Sequence, residues 1–277
     1  SGFISSTFDS NSNKVVIAYR DIGGSEYGTA VVGTVSGTSV SFGTPVVFES
    51  ASSRLFSAIF DSSNNKVVIA YRDDGNSEYG TAIVGTVSGT SISFGSPTVF
   101  ESATVTTVSA TFDSSNNKVV IAYTDDANSS YGTAIVGTVS GTSISFGSAT
   151  VFESAYANAV SATFDSNANK VVIAYADNGN STYGTAIVGT VSGTSISFGS
   201  AAVFESASSQ YIAATFDSSN NKVVIAYKDE GNSNHGTAIV GTVSSTSISF
   251  GSATVFESAA SDHISATFDS NISKIVI

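Results

Sequence analysis

The sequence contains no cysteine, methionine or tryptophan, and it has only two prolines, two histidines and a single leucine, Leu55. Without cysteine the chain can form no disulfide, and it offers no thiol nucleophile or thiolate metal ligand. No apolar run approaches the roughly 18 residues of a membrane-spanning helix, so we expect no membrane insertion. Because methionine is absent and the sequence stops within a strand-like run, Lys274–Ile277, we expect a processed product or a piece of a longer protein.

Charged residues are also scarce, and those present are mostly acidic. Asp and Glu number 22 against 10 Lys and Arg, which gives a net charge of −12. This balance disfavours binding to nucleic acid or to an anionic membrane. Hydrophobic residues make up 41% of the chain, and they are mainly Val, Ile, Ala and Phe. β-Branched and aromatic side chains suit pleated sheets, so the composition predicts an all-β fold.

What the chain has in abundance is repetition. The tripeptide F-D-S recurs at a constant spacing of 52 residues, at Phe8, Phe60, Phe112, Phe164, Phe216 and Phe268. We therefore expect a single domain over residues 1–277, made of copies at 1–52, 53–104, 105–156, 157–208 and 209–260 and a partial sixth copy at 261–277. A period of this length with strand-like content is typical of propellers and related arrays.

The second copy illustrates the strands within one repeat. Phe56–Phe60 alternates and ends at a turn-forming cluster, Asp61–Asn65, and Lys66–Tyr71 is a continuous apolar run. Gly80–Val87 forms a third strand, and the fourth begins at Ser91–Phe94 and continues to Glu101. We name these strands A to D. Four short antiparallel strands repeated radially predict a β-propeller, with strand A innermost.

The number of blades is less well defined by the sequence. Strand A occurs six times, and leaving an apolar strand unpaired costs more than shortening an outer edge. We therefore favour six inner strands with an incomplete last blade over a ring of five blades. An open solenoid is a third arrangement that the repeat allows.

The repeat also resembles a known group of proteins. The run I-S-A-T-F-D-S-S-N-N-K-V-V-I-A-Y-x-D-D, followed by Y-G-T-A-I-V-G-T-V-S-G-T-S-I-S-F-G, is similar to repeats in marine viral and bacterial proteins. The likeness is greatest to virion-associated or structural proteins of marine cyanophages, and it covers the whole chain. The resemblance implies a role on a particle surface or in adhesion, at an extracellular or virion surface, and it supplies no catalytic motif.

The six copies differ mainly in two zones. The first is the connection from strand D to strand A, which carries Gly2–Phe3, Arg54–Leu55, Thr106–Thr107, Asn158–Ala159, Gln210–Tyr211 and Asp262–His263. The second is the loop from strand B to strand C, where Arg20, Arg72, Thr124, Ala176 and Lys228 are equivalent. In an antiparallel blade these two connections emerge on the same side, so the differences are expected on one face. We name it the variable face.

We interpret the variable face as a recognition surface, because binding residues commonly lie on loops of a rigid scaffold. The alternative is that these loops have drifted without constraint. The predicted ligand contacts are Phe3, Arg20, Arg54, Leu55, Arg72, Asp74, Glu78, Tyr79, Asp126, Tyr131, Asn158, Gln210, Tyr211, Lys228, Glu230, His235, Asp262 and His263. Tyr79, Tyr131 and His235 begin strand C, where an aromatic ring could stack on a sugar.

Two other sets of residues are candidate chemical sites. Asp73, Asp74 and Glu78 offer oxygen ligands of the kind Ca²⁺ prefers, but they lack the usual alternating spacing, so a solvated turn is the better interpretation. Glu49, Glu101, Glu153, Glu205 and Glu257 are predicted to form a solvated ring near the end of strand D. We expect no cofactor.

Catalysis is not expected, because enzymes need one asymmetric group of tuned residues and this repeat supplies symmetric ones. The sequence predicts a lectin-like recognition or adhesion module for a glycan or surface polymer. The alternative is a structural spacer of a fibre or virion, whose partners would be neighbouring structural subunits.

Overall fold

The chain folds as antiparallel β-sheet with almost no helix. The computed structural model describes residues 3–23 and 26–277. Within each copy the strands follow the predicted order, because alternating or continuous runs of Val, Ile and Ala are separated by Asp, Asn, Ser and Gly turns. In the first two copies the strands are β1 (Ile4–Asp9), β2 (Lys14–Asp21), β3 (Tyr27–Ser36), β4 (Ser39–Phe42), β5 (Val46–Asp61), β6 (Lys66–Asp73), β7 (Tyr79–Ser88) and β8 (Ser91–Phe94).

The later copies repeat these bounds at the same interval. The third and fourth copies contain β9 (Thr98–Asp113), β10 (Lys118–Asp125), β11 (Tyr131–Ser140), β12 (Ser143–Phe146), β13 (Thr150–Asp165), β14 (Lys170–Asp177), β15 (Tyr183–Ser192) and β16 (Ser195–Phe198). The fifth and sixth contain β17 (Ala202–Asp217), β18 (Lys222–Asp229), β19 (His235–Ser244), β20 (Ser247–Phe250), β21 (Thr254–Ala260), β22 (Thr267–Asp269) and β23 (Lys274–Val276).

Each blade is a four-stranded antiparallel unit, as predicted. In the first, β1 pairs with β2 and β2 with β3. Strand β3 then pairs with β4 at one end and with the beginning of β5 at the other. The second half of β5 pairs with β6 and is the inner strand of the next blade. One strand thus belongs to two successive blades.

This sharing corrects the prediction of a D–A loop. Val46–Asp61 and its equivalents in the next three copies are continuous strands of 16 residues. Arg54 on β5 pairs with Arg72 on β6, and Ser57 pairs with Ala70. Between these two pairs β5 therefore contains one residue more than β6. The variable D–A zone is therefore a β-bulge, which redirects the chain without interrupting the strand.

Successive blades pack face to face. Where two copies meet, the front face of one blade contacts the rear face of the next. Val16, Val32 and Phe48 on the front of the first blade pack against Ile69 and Tyr71 on the rear of the second. The same arrangement recurs between later copies. The inner strands are also linked, because the Ser57 hydroxyl accepts a hydrogen bond from the Ala110 amide at 2.9 Å.

Glycine in strand C permits close cross-strand packing. Gly85 faces Phe94 on the neighbouring strand. A Cβ atom at Gly85 would lie 2.7 Å from Ile92 Cδ1 and 2.8 Å from Phe94 Cε1. Any larger residue would therefore displace side chains that seal the outer part of the blade.

The sixth copy supplies only a short hairpin, β22 and β23, which forms a separate two-stranded sheet. Strand A was predicted here at Ile264–Phe268, but the observed strand covers Thr267–Asp269. Among residues 3–23 and 26–277, no strand of this copy pairs with β1. Strand pairing thus establishes the four-stranded unit and its repetition.

Candidate ligand-binding face

The two variable zones lie at the same end of each blade. The paired strands place Arg54 opposite Arg72 and Gln210 opposite Lys228. In the third copy the Thr107 and Thr124 hydroxyls are hydrogen bonded at 2.6 Å. The variable face is thus a contiguous surface. Gly2, which is equivalent to Arg54, lies outside the described residues.

Three of the bulges, and the equivalent position of the sixth copy, hold a residue in an unfavourable backbone conformation. Leu55, Ala159, Tyr211 and His263 have φ angles of 59°, 50°, 50° and 57°. This left-handed region is uncommon for residues other than glycine, and it is least favourable for bulky ones. Such strain is retained only where the surrounding structure fixes it, and it is frequent at ligand sites. None of these positions is glycine in the sequence.

The bulged positions and their equivalents in the first and sixth copies line a cavity of about 790 Å³, which we name the central cavity. One equivalent position from every copy contributes to it: Phe3, Leu55, Thr107, Ala159, Tyr211 and His263. Apolar neighbours such as Ile4 and Phe56 and the hydroxyls of Ser5 and Ser265 complete the lining. Phe3, Leu55, Tyr211 and His263 were predicted contacts, and this cavity brings them together.

A second cavity of about 400 Å³, which we name the junction cavity, lies between the fourth and fifth copies. It is lined by Asn158, Gln210 and Tyr211 and by Ala159, Val160, Ile212 and Ile264. It therefore combines two carboxamides with an aromatic ring and a surrounding of aliphatic side chains. The lining contains no residue that carries a formal charge at neutral pH.

The charged part of the variable face is largely engaged in ion pairs within the first copy and within the second copy. Arg20 pairs with Glu26, and Asp74 accepts from Arg54 Nε at 2.6 Å and from Arg72 Nε at 2.8 Å. Hydrogen bonds from Arg20 and then Ser52 lower the pKa of Glu26. Arg72 also forms an ion pair with Glu78, at 3.4 Å. These predicted contacts therefore bind one another.

At the opposite end of the array the links are sparser and include aromatic rings. Gln210 Nε2 donates to Glu230 Oε1 at 2.6 Å. Lys228 Nζ donates to Asp262 Oδ1 at 2.8 Å, and this bond raises the pKa of Lys228. The Lys228 ammonium also lies 5.6 Å from the centre of the Tyr211 ring. Tyr211 in turn contacts His263, with ring centres 5.0 Å apart.

The B–C loops contain a feature that the sequence analysis missed, a short 3₁₀ helix. It covers Asp74–Asn76, Asp126–Asn128, Asn178–Asn180 and Glu230–Asn232 in successive copies. Asp73 caps the first by accepting from the amides of Gly75 and Asn76. Burial, and secondarily the nearby Glu49, raise the pKa of Asp73.

This arrangement gives the calcium alternative no support. Asp73 binds backbone amides, and Asp74 and Glu78 bind arginine. Within the described part of the chain, no group of three or more His, Asp or Glu is placed to hold a metal ion. Asp126 accepts from the hydroxyl of Ser130 at 3.0 Å in the equivalent loop.

The aromatic residues that begin strand C do not line either cavity. Tyr79, Tyr131 and His235 are half-buried and are Cα partners of Asp73, Asp125 and Asp229. Tyr156, which was not among the predicted contacts, is exposed and is the Cα partner of Tyr131. Its signal was available, because Tyr156 is the only aromatic residue at its position in the repeat.

The predicted ring of solvated glutamates is wrong for most of its members. Glu49, Glu101, Glu153 and Glu205 each accept a hydrogen bond from a tyrosine of the next copy: Tyr71, Tyr123, Tyr175 and Tyr227. These tyrosines are completely buried. Burial raises the pKa of Glu101 and Glu153. Only Glu257 is exposed as predicted.

No family model and no curated protein matches the sequence. Solved structures do match. AofleA from Arthrobotrys oligospora superposes with a TM-score of 0.57 and 6% identity, over 96% of this chain and 74% of that one. A variant of it with three arginines changed to alanine gives a TM-score of 0.59 at the same identity and coverage.

A third solved structure carries a ligand. The SapL1 lectin in complex with alpha methyl fucoside has a TM-score of 0.53 and 13% identity, over 91% of this chain and 80% of that one. At these identities the likeness concerns the fold. Among the residues that the structure describes, no helix is long and apolar enough to cross a membrane.

Proposed function

We propose that this protein is a non-catalytic carbohydrate-binding module that binds a neutral glycan through its variable face. The observation that carries the proposal is the junction cavity, where Tyr211 lies beside the carboxamides of Asn158 and Gln210. An aromatic ring offers a flat apolar surface to the C–H groups of a sugar. Carboxamides donate and accept hydrogen bonds, which matches sugar hydroxyls. The fold that the chain shares with the SapL1 lectin supports the same class of ligand.

A neutral sugar is favoured over an anionic one. The arginines that could bind a carboxylate or sulfate are paired with Glu26, Asp74 and Glu78. The net charge of −12 also opposes the approach of an anion. We propose further that the six inner strands surround the central cavity as a six-bladed propeller, which would present the bulged residues around one axis.

The setting that we propose is a virion or cell surface, where a glycan or surface polymer would be the target. Support for this setting comes from the resemblance of the repeats to those of marine phage proteins. The rival function is a structural spacer without a ligand. Such a spacer has no need for bulky residues in the left-handed backbone conformation at Leu55 and Tyr211.

A glycan array tests the proposal, with α-methyl fucoside as the first free sugar for competition. We expect binding to a small group of neutral glycans and weaker signals for sialylated or sulfated forms. The variant Tyr211→Ala should lose this binding, and Tyr211→Phe should retain most of it because the ring remains. Tyr156→Ala is the matched control, since it removes an exposed tyrosine that lines neither cavity. No binding to any glycan would favour the spacer.

A further inference from the structure

The first blade has an uncovered apolar rear face. Phe8 is 53% exposed, whereas its equivalent Phe164 in the fourth copy is 9% exposed. Val35, Val40 and Phe42 on the same face are also exposed. In later copies this face is covered by the front of the preceding blade. The first blade therefore presents a surface that the rest of the molecule buries.

The front face of the fifth blade is uncovered only in its outer half. Its inner residues Val224 and Ala226 are buried, but Val240 is 44% exposed and Phe256 is 43% exposed. Their equivalents in the third blade, Val136 and Phe152, are buried. Exposure on this face is thus confined to strands C and D.

The sixth copy explains this division. The β22–β23 hairpin packs beside β17, and the Ser219 and Ser273 hydroxyls are hydrogen bonded at 2.9 Å. The equivalent positions Ser63 and Asn117 are linked in the same way between earlier copies. The hairpin therefore occupies the place of strands A and B and covers the inner half of the fifth blade.

The hairpin has a free edge and packs on the fifth blade, and Ile264 of the sixth copy lines the same cavity as Ile4 of the first copy. In the first blade, one edge of strand B pairs with strand A and the other edge pairs with strand C, as Val15 pairs with Gly33. Within the described residues β23 pairs only with β22. An unpaired strand edge is a template for another strand. We name the rear of the first blade, the outer front of the fifth blade and the β23 edge together the open flank.

We propose that the open flank binds a β-hairpin with the chemistry of the repeat's own strands C and D. The interfaces between copies suggest this occupant, because strands C and D supply part of the covering face in each of them, as Ala82, Val84 and Phe100 do in the second copy. Such a hairpin is apolar on both faces. In the third copy Val136 faces the next blade, and Ile135 and Ile144 face the preceding one. It also carries glycine where it opposes phenylalanine, as Gly137 opposes Phe146. A hairpin that is apolar on only one face would cover the first blade or the fifth blade and leave the other one exposed.

The probe is a fluorescent peptide with the sequence of residues 131–152, used alone or on a soluble carrier protein if the free peptide aggregates. Titration with the 277-residue protein should give saturable 1:1 binding by fluorescence anisotropy. A peptide with Val136→Asp and Ile144→Asp should bind at least tenfold more weakly. Phe8→Ser in the protein should weaken binding by at least tenfold. Phe8 is exposed, so this change should leave the circular dichroism spectrum unchanged.

Ile22→Ser is the matched control, because Ile22 is also exposed (63%, against 53% for Phe8) but lies in the loop between β2 and β3. This variant should bind the peptide as the unchanged protein does. Absence of binding, or equal loss in both variants, would overturn the proposal. Self-association that Phe8→Ser abolishes, without binding of the peptide, would also overturn it by identifying a second copy as the occupant. None of these outcomes depends on glycan binding.

Discussion

The Tyr123 hydroxyl donates a hydrogen bond of 3.0 Å to Glu101 Oε2 across the boundary between the second and third copies. Tyr123 is completely buried, and its ring lies 5.2 Å from that of Phe100. The bond thus joins the end of one strand D to the core of the next blade. Three further copies of this bond occur along the chain.

Removing this hydroxyl should destabilise the fold. We expect Tyr123→Phe to lower the free energy of unfolding by about 1–3 kcal/mol, because a partly buried carboxylate loses its donor. Tyr19→Phe is the control, since the Tyr19 hydroxyl makes no hydrogen bond to the described residues and should change stability much less. Urea unfolding of both variants measures the difference. Equal effects would mean that the hydrogen bond contributes nothing.

The same glutamates should make stability depend on pH. Burial raises the pKa of Glu101 and Glu153 in the folded state above the ordinary value of about 4.3. The folded state therefore binds more protons than the unfolded state between these values, so this contribution to stability falls as pH rises. The double variant Glu101→Gln and Glu153→Gln should lose less stability between about pH 4.5 and 7.5.

Glu257→Gln controls for the general effect of removing negative charge, because Glu257 is the exposed equivalent. Its pH dependence should remain close to that of the unchanged protein in urea titrations. If each replaced glutamate lowered the pH dependence by the same amount in Glu257→Gln as in the double variant, the loss of negative charge would explain the result and burial would not.

The strained bulge should tolerate glycine. Ala159 has a φ angle of 50°, a conformation that costs an L-residue about 1–2 kcal/mol and costs glycine little. Ala159→Gly should therefore be neutral or stabilising in thermal unfolding. Ala162→Gly, in the regular part of the same strand, should cost about 0.5–1 kcal/mol. Equal destabilisation in the two variants would show that the bulge stores no strain.

Close packing beneath strand C should make a single methyl group harmful. A Cβ at Gly132 would lie 2.5 Å from Phe152 Cε2 and 2.9 Å from Ala157 Cβ. Gly132→Ala should destabilise the protein by about 1–3 kcal/mol through overpacking. At Gly23 the nearest atom is Asp21 Oδ1 at 3.4 Å, so Gly23→Ala serves as the tolerated control. Differential scanning calorimetry of both variants decides the matter.

Much of the strand framework could be predicted because it depends on local patterns. Lys66–Asp73 extends the predicted run by two residues. The fourth strand begins at Ser91 as predicted, but it ends at Phe94 and the chain re-enters the sheet at Thr98, so the predicted continuous strand to Glu101 is interrupted. The fused D–A strand could not be predicted in this way. Its bulge places Leu55 and Tyr211 at positive φ, and without glycine nothing in the sequence marks such a conformation.

The candidate site was predicted only in outline. Comparison of the copies located the variable residues, and strand register places Arg54 beside Arg72 and Gln210 beside Lys228. The sequence could not separate positions that bind one another from those that line a cavity. The Arg54–Asp74 ion pair and the Tyr123–Glu101 hydrogen bond join residues 20 or more positions apart, so local sequence patterns do not reveal them.

Isothermal titration calorimetry with the glycan selected by the array tests carbohydrate recognition at the junction cavity most directly. The unchanged protein, Tyr211→Ala and Tyr156→Ala would be titrated side by side. We expect saturable binding that is retained by Tyr156→Ala and weakened at least tenfold by Tyr211→Ala. Binding that is unaffected by Tyr211→Ala, or absent from the unchanged protein, would contradict the account.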